Sequence, residues 1–186
     1  MSKKCGQGWI SENKDCTLDQ QESEESNRIK LVQEKEDSTE VERKQSVLKY
    51  KLDHENLTER DKSNIDDFLQ ESEPYNGKIY RGLNFSFNEY EKWIEKNQST
   101  IEVDDPTSFT FGKNIAKNYA GIGNNRVEVS VIIEVESNKK GIDISEIGER
   151  RQDEKEVLIP KGTKYKVKDI VGDEESSTVT MRVIEQ

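Results

Sequence analysis

The sequence predicts an α+β fold with helices on its N-terminal side and strands on its C-terminal side, and three patterns point there. Apolar residues recur at helical spacing between Ser46 and Pro74 and again between Ser86 and Asn97. From Arg126 onward they alternate or fall in short blocks, "RVEVSVIIEVE", "EVLIP", "TKYKVKDIV" and "TVTMRVIE", as strands do. The first 45 residues carry dense charge of both signs and little to bury.

Composition narrows the class further. Of 186 residues, 30% are hydrophobic and 37% charged, too polar a mixture to be packed throughout. A net charge of -10 excludes nucleic acid and anionic membrane as principal partners, because neither attracts an acidic surface. No apolar run approaches the roughly 20 residues of a bilayer span. The opening "MSKKCGQGWI" lacks the apolar stretch of a secretory signal, so a soluble, cytoplasmic product is expected.

Taken in order, residues 1–45 read as a flexible, charged arm and residues 46–186 as the folded domain. Within the arm, Cys5 and Cys16 flank "GQGWISENKD". Two thiols and a single histidine, His54, are too few for a zinc site. A flexible tail and a small hairpin, disulfide-closed or used for docking, both remain open for this segment. From Thr17 to about Gln45 the chain reads as disordered or as a solvated helix.

"SVLKYKLDHENLTERDKSNIDDFLQESE" follows, with Val47, Leu48, Leu52, Ile65, Phe68 and Leu69 at helical intervals. It predicts one or two helices, with Thr58 as a cap and an end before Pro74. "GKIYRGL" is a strand. "SFNEYEKWIEKN" is a helix opened by a Ser cap, with Phe87, Tyr90, Trp93 and Ile94 as its core face. "STIEVDDPTSFTF" reads as two strands parted by Pro106, and "GKNIAKNYAG" as a helix closed by Gly121. "RVEVSVIIEVE" reads as a half-buried strand, and "GIDI" and the remaining blocks complete the strand-rich half.

Three short motifs stand out in this frame. Tyr80-Arg81-Gly82 ends the first strand, Ser108-Phe109-Thr110 lies on a later one, and Glu154-Lys155-Glu156 opens another. Singly each is common in a chain with 39 acidic residues. In this order, with "DEKEVLIPKGTKYKV" after the last of them, they resemble the arginine-serine-glutamate class of mono-ADP-ribosyltransferases, a fold shared by clostridial binary toxins, vertebrate ecto-enzymes and bacteriophage host-modifying transferases. The resemblance spans about Ser46 to Val171. It implies a split β-sandwich of ADP-ribosyltransferase type behind N-terminal helices and a disordered arm.

The resemblance also implies roles. Glu156 is the catalytic glutamate, Glu154 the upstream one, Arg81 the phosphate or ribose anchor and Ser108 the brace for Glu156. Gly82, Thr110 and the aromatic Tyr119 join Arg81, Ser108 and Glu156 around NAD, which is substrate, and no metal takes part. Arginine-modifying members carry Glu where this chain has Glu154, so a protein arginine is the implied acceptor, and Arg126 stands near the position of a further phosphate contact. NAD hydrolysis and an inactive binding relative are the alternatives, and a phage or prophage product acting in host cytoplasm is the implied setting. Oligomeric state is not legible.

The chemistry agrees with these roles. Breaking the nicotinamide–ribose bond passes through an oxocarbenium-like state that a carboxylate beside the sugar stabilises. On a strand, Glu154 and Glu156 would share one face. A carboxylate is also a natural fork partner for an acceptor guanidinium. A classical dinucleotide fold is excluded, since no G-x-G-x-x-G follows a strand.

Overall fold

A computed structural model describes residues 2–5, 8–11, 38–123, 128–148, 154–173 and 177–186. The chain divides into two units, Met1–Arg43 and Lys44–Gln186. In the first, β1 (Ser2–Cys5) and β2 (Gly8–Ser11) pair antiparallel with Cys5 opposite Gly8. A Cys5–Cys16 pairing, the arm from Thr17 to residue 37, and Arg126 and Val127 lie outside the described residues.

Residues 38–53 are helical (α1) and include the last part of the stretch that the sequence assigns to the arm. Residues 38–45 are almost wholly exposed, which matches the solvated-helix alternative. They contain no Gly or Pro and are rich in Glu, Lys, Arg and Gln, which favour helix without needing a core.

In the second unit a short 3-10 turn, His54–Asn56, leads to α2 (Glu59–Glu71). Thr58 and Asp61 close a reciprocal capping box at its start, a device worth about 1 kcal/mol. Asp61 also receives Lys49 at 2.6 Å, and Asn64 Nδ2 donates to Ser46 Oγ at 3.1 Å, so α1 and α2 are tied side by side. Lys49 and Thr58 together hold the Asp61 carboxyl well below the usual carboxylate range.

The remaining elements are β3 (Gly77–Phe85), α3 (Phe87–Asn97), β4 (Thr100–Glu102), β5 (Thr107–Thr110), α4 (Lys113–Tyr119), β6 (Val129–Asn138), β7 (Ile142–Asp143), β8 (Glu156–Ile159), β9 (Lys164–Asp173) and β10 (Thr178–Glu185). The eight strands from β3 to β10 are ordered β4-β9-β10-β6-β3-β5-β8-β7. Among the described strands only β10 and β6 pair in parallel. Helices α3 and α4 interleave with the strands, as the sequence predicts.

The sheet is nearly divided between β3 and β5. These strands meet at one pair, Tyr80 opposite Thr110, whereas β3 and β6 pair from Gly77 to Phe85. Side chains from both sides of the division, among them Ile79, Val131, Ile133, Tyr165 and Met181 with Phe109, Val157 and Ile159, share one core. That is the sandwich-like arrangement of the expected fold, with the division opening a cleft. A second core of Val47, Ile65, Leu69, Ile142, Ile144 and Leu158 fixes α1 and α2 against β7 and β8.

Two expectations need correction. Phe87 is 59% exposed, while Tyr90, Trp93 and Ile94 do pack on the main core. As the first residue after the Ser86 cap, Phe87 lies before the helix has turned fully toward the sheet. Strand β6 is buried along most of its length instead of on alternate residues. Its second face is covered by α4, with Ile132 packing on Ala116 and Ala120 and Ser130 Oγ donating to Ala120 O at 2.8 Å.

Candidate active site

Seven residues assigned from the sequence to catalysis or NAD binding line one cleft of about 610 Å³: Arg81, Gly82, Ser108, Thr110, Tyr119, Glu154 and Glu156. Local structure explains the convergence. Antiparallel pairing of β5 with β8 sets Thr110 opposite Glu156 and Ser108 opposite Leu158. Side chains two residues apart share a strand face, so Ser108, Thr110 and Glu156 face one way and Phe109 and Val157 enter the core.

Glu156 is only 7% exposed. Burying a carboxylate is costly unless it is hydrogen-bonded and charge-paired. Here the Ser108 hydroxyl donates to Glu156 Oε1, and the ammonium of Lys51 lies 3.8 Å from Oε2. Tyr50, one residue before Lys51 on α1, has its hydroxyl 3.1 Å from Ser108 Oγ and 3.2 Å from the Pro106 carbonyl. Burial holds the Tyr50 phenol above its ordinary range, so it stays a neutral hydrogen-bonding group.

Glu154 reaches the cleft by a different route from the one read in the sequence. It precedes β8, and Lys155 between the two glutamates has a φ of 49°, so strand alternation does not relate them. The end of β5 latches this bend in place. Thr110 Oγ1 donates to the Glu154 carbonyl at 2.7 Å, and Phe111 N donates to the Lys155 carbonyl at 3.0 Å. The Thr110 hydroxyl is thereby committed to shaping the loop, and also accepts from Gly112 N at 3.0 Å.

Tyr119 is the last residue of α4, 52% exposed, and its hydroxyl donates to Glu154 Oε1 at 2.7 Å. Arg81 stands half-buried on β3 with its guanidinium carbon 5.8 Å from the centre of the Phe109 ring. Burial lowers its affinity for the proton from the ordinary guanidinium value, an effect that leaves an arginine charged at neutral pH. Gly82 has a packing reason to be glycine. A Cβ there would meet the Ala116 carbonyl oxygen at 1.8 Å and the Ala120 nitrogen at 2.7 Å, so α4 rests on the bare backbone of β3.

The lining also includes Tyr50 and Lys51, which were not singled out from the sequence, and His54, which was given no role there. The available signal was the stripe Val47, Tyr50, Lys51 and His54, spaced as one helix face yet mostly polar. Among the described residues no group of three or more His, Cys, Asp or Glu side chains is arranged to hold a metal ion, and no helix is long and apolar enough to cross a membrane.

The cleft thus brings together two carboxylates, a guanidinium and a phenol ring at its mouth, with hydroxyls bracing one carboxylate from behind. Solved structures share this fold. The type III effector XopAI from Xanthomonas axonopodis pv. citri is 18% identical with a TM-score of 0.57, over 91% of this chain and 75% of that one. Against a truncated form of XopAI the match spans 52% of that chain, about half its length. The ADP-ribosyltransferase Vis, a toxin from Vibrio splendidus, solved with the M6 inhibitor, is 18% identical with a TM-score of 0.56, over 77% and 72% of the two chains. Exoenzyme S from Pseudomonas aeruginosa, solved with human 14-3-3 protein beta and carba-NAD, is 15% identical with a TM-score of 0.59, over 77% and 73%. No curated protein matches the chain in sequence. The model of the ADP-ribosyltransferase exoenzyme family matches residues 43–186, the whole of the second unit, and the chain belongs to that family.

Proposed function

We propose that the protein transfers ADP-ribose from NAD to an arginine side chain and releases nicotinamide. The observation that carries the reading is the meeting of Glu154 and Glu156 in one cleft with Arg81. The two carboxylates have different surroundings. Glu156 is buried and braced by Ser108, while Glu154 is half-buried at the mouth beside the exposed ring of Tyr119. The use of carba-NAD to occupy exoenzyme S supports NAD as the donor.

On this reading Arg81 binds the diphosphate or the adjoining ribose by charge-assisted bonds. Glu156 accepts from the ribose hydroxyl and faces the positive charge that grows on the sugar as the bond from C1′ to the nicotinamide nitrogen breaks. Nicotinamide leaves with that electron pair. Glu154 draws in the acceptor guanidinium, aligns one nitrogen toward C1′ and takes the proton released when the new C–N bond forms. The Tyr119 ring stacks on the nicotinamide end. Gly82 and Thr110 act by holding α4 and the Glu154 loop in place.

Incubation with NAD labelled in its adenosine half and agmatine as a minimal guanidinium acceptor tests this. ADP-ribosyl-agmatine should form together with nicotinamide. Nicotinamide release with no labelled agmatine or protein would replace the arginine reading by NAD hydrolysis.

A further inference from the structure

Lys51 is among the most buried charged groups of the molecule, with a side chain 1% exposed, and the roles above do not use it. Its ammonium donates to the carbonyls of Ile144 and Ile147, each at 3.0 Å, and stands 3.8 Å from Glu156 Oε2. The Ile144 amide in turn donates to the Glu156 carbonyl at 3.0 Å. One cation therefore grips the same glutamate twice, through its carboxylate and through the backbone of the strand that carries it.

The geometry is specific for a positioning function. A buried ammonium needs its protons satisfied, and two carbonyls take two of the three at hydrogen-bond distance. The carboxylate is held at ion-pair distance instead. At 3.8 Å the ammonium keeps its attraction for Oε2, a buried oxygen, while its hydrogen bonds go to the two carbonyls. The described groups near Glu156 include the hydroxyls of Ser108 and Tyr50 and, lining the same cleft, Arg81 and Glu154. Arg81 is assigned to substrate, whereas Lys51 is fixed to the protein by two main-chain carbonyls.

We propose that Lys51 is a positioning residue for NAD cleavage, holding Glu156 as an oriented carboxylate beside the ribose. This deepens the reading of Glu156 as the carboxylate beside the ribose and rests on it. Lys51 itself touches no reacting atom.

The test measures nicotinamide release against pH for wild type, Lys51→Met and Lys51→Gln, with the urea midpoint of each as the check on folding. Gln retains donation to a carbonyl and lacks the charge, so it serves where Met fails to fold. The expected result is a kcat lowered about tenfold or more at neutral pH with KM changed little, and with the acid limb of the profile moved to higher pH so that activity returns as pH rises. A folded variant with the wild-type profile overturns the proposal. So does a loss equal at all pH, or one confined to KM, since either means that Lys51 only fastens α1 to the Ile144–Ile147 segment. Absence of nicotinamide release from wild type would overturn the reading of Glu156 itself and the proposal with it.

Discussion

Replacing Glu154 by Gln separates acceptor recognition from NAD cleavage. The substitution preserves size, and the amide oxygen can still accept from the Tyr119 hydroxyl that now lies 2.7 Å from Glu154 Oε1. The loop is anchored through main-chain carbonyls to Thr110 and Phe111, so its shape does not depend on the charge. What is lost is the attraction for a guanidinium. Hydrogen bonds to a charged group contribute about 1.5–3 kcal/mol each, and half-burial at the mouth moderates a forked pair to roughly 2–3 kcal/mol in all. At about 1.4 kcal/mol per tenfold this is roughly a 30- to 150-fold fall in transfer to arginine. Cleavage of NAD by water should change far less, because Glu156, Ser108 and Arg81 are untouched. The paired assay follows labelled ADP-ribose on agmatine and nicotinamide release, wild type against Glu154→Gln. An equal fall in both activities of a folded variant would refute the division of labour and assign Glu154 to bond cleavage.

Glu156→Ala should lower both transfer and nicotinamide release by about a hundredfold or more, the usual cost of one electrostatic stabiliser; unchanged release in a folded variant would move the chemistry elsewhere. Gly82→Ala places a Cβ against the backbone of α4 and should destabilise by about 1–3 kcal/mol or more, read as a lower urea midpoint. A neutral result would mean that α4 is free to lift from β3. Asn138, with no exposure, donates to the Tyr75 and Gly141 carbonyls at 2.6 and 3.0 Å and accepts from Gly141 N at 2.9 Å. Asn138→Ala strands these groups and should cost about 3 kcal/mol or more in unfolding free energy with no change in KM for NAD.

By itself the sequence determined the local elements and the three motifs, because the signals involved are short-range. Thr58 and Ser86 begin their helices through side chains three residues away, and the blocks around Val129–Asn138 and Glu156–Ile159 are strands by composition alone. Arg81, Ser108, Glu154 and Glu156 were legible as a set because their order along the chain is itself informative. The tertiary structure decided how they act. Alternation predicted the two glutamates on one strand face, but a left-handed Lys155, latched by the end of β5, carries Glu154 into the cleft instead. The polar residues of β6 looked solvated until α4 covered them, which required Gly82 to lack a side chain. Nothing in the local sequence marks Lys51, which stands in a stretch rich in charge. Its partners are the carbonyls of Ile144 and Ile147, 93 and 96 residues away, and no local pattern encodes a contact that exists only once the second core has brought α1 against β7 and β8.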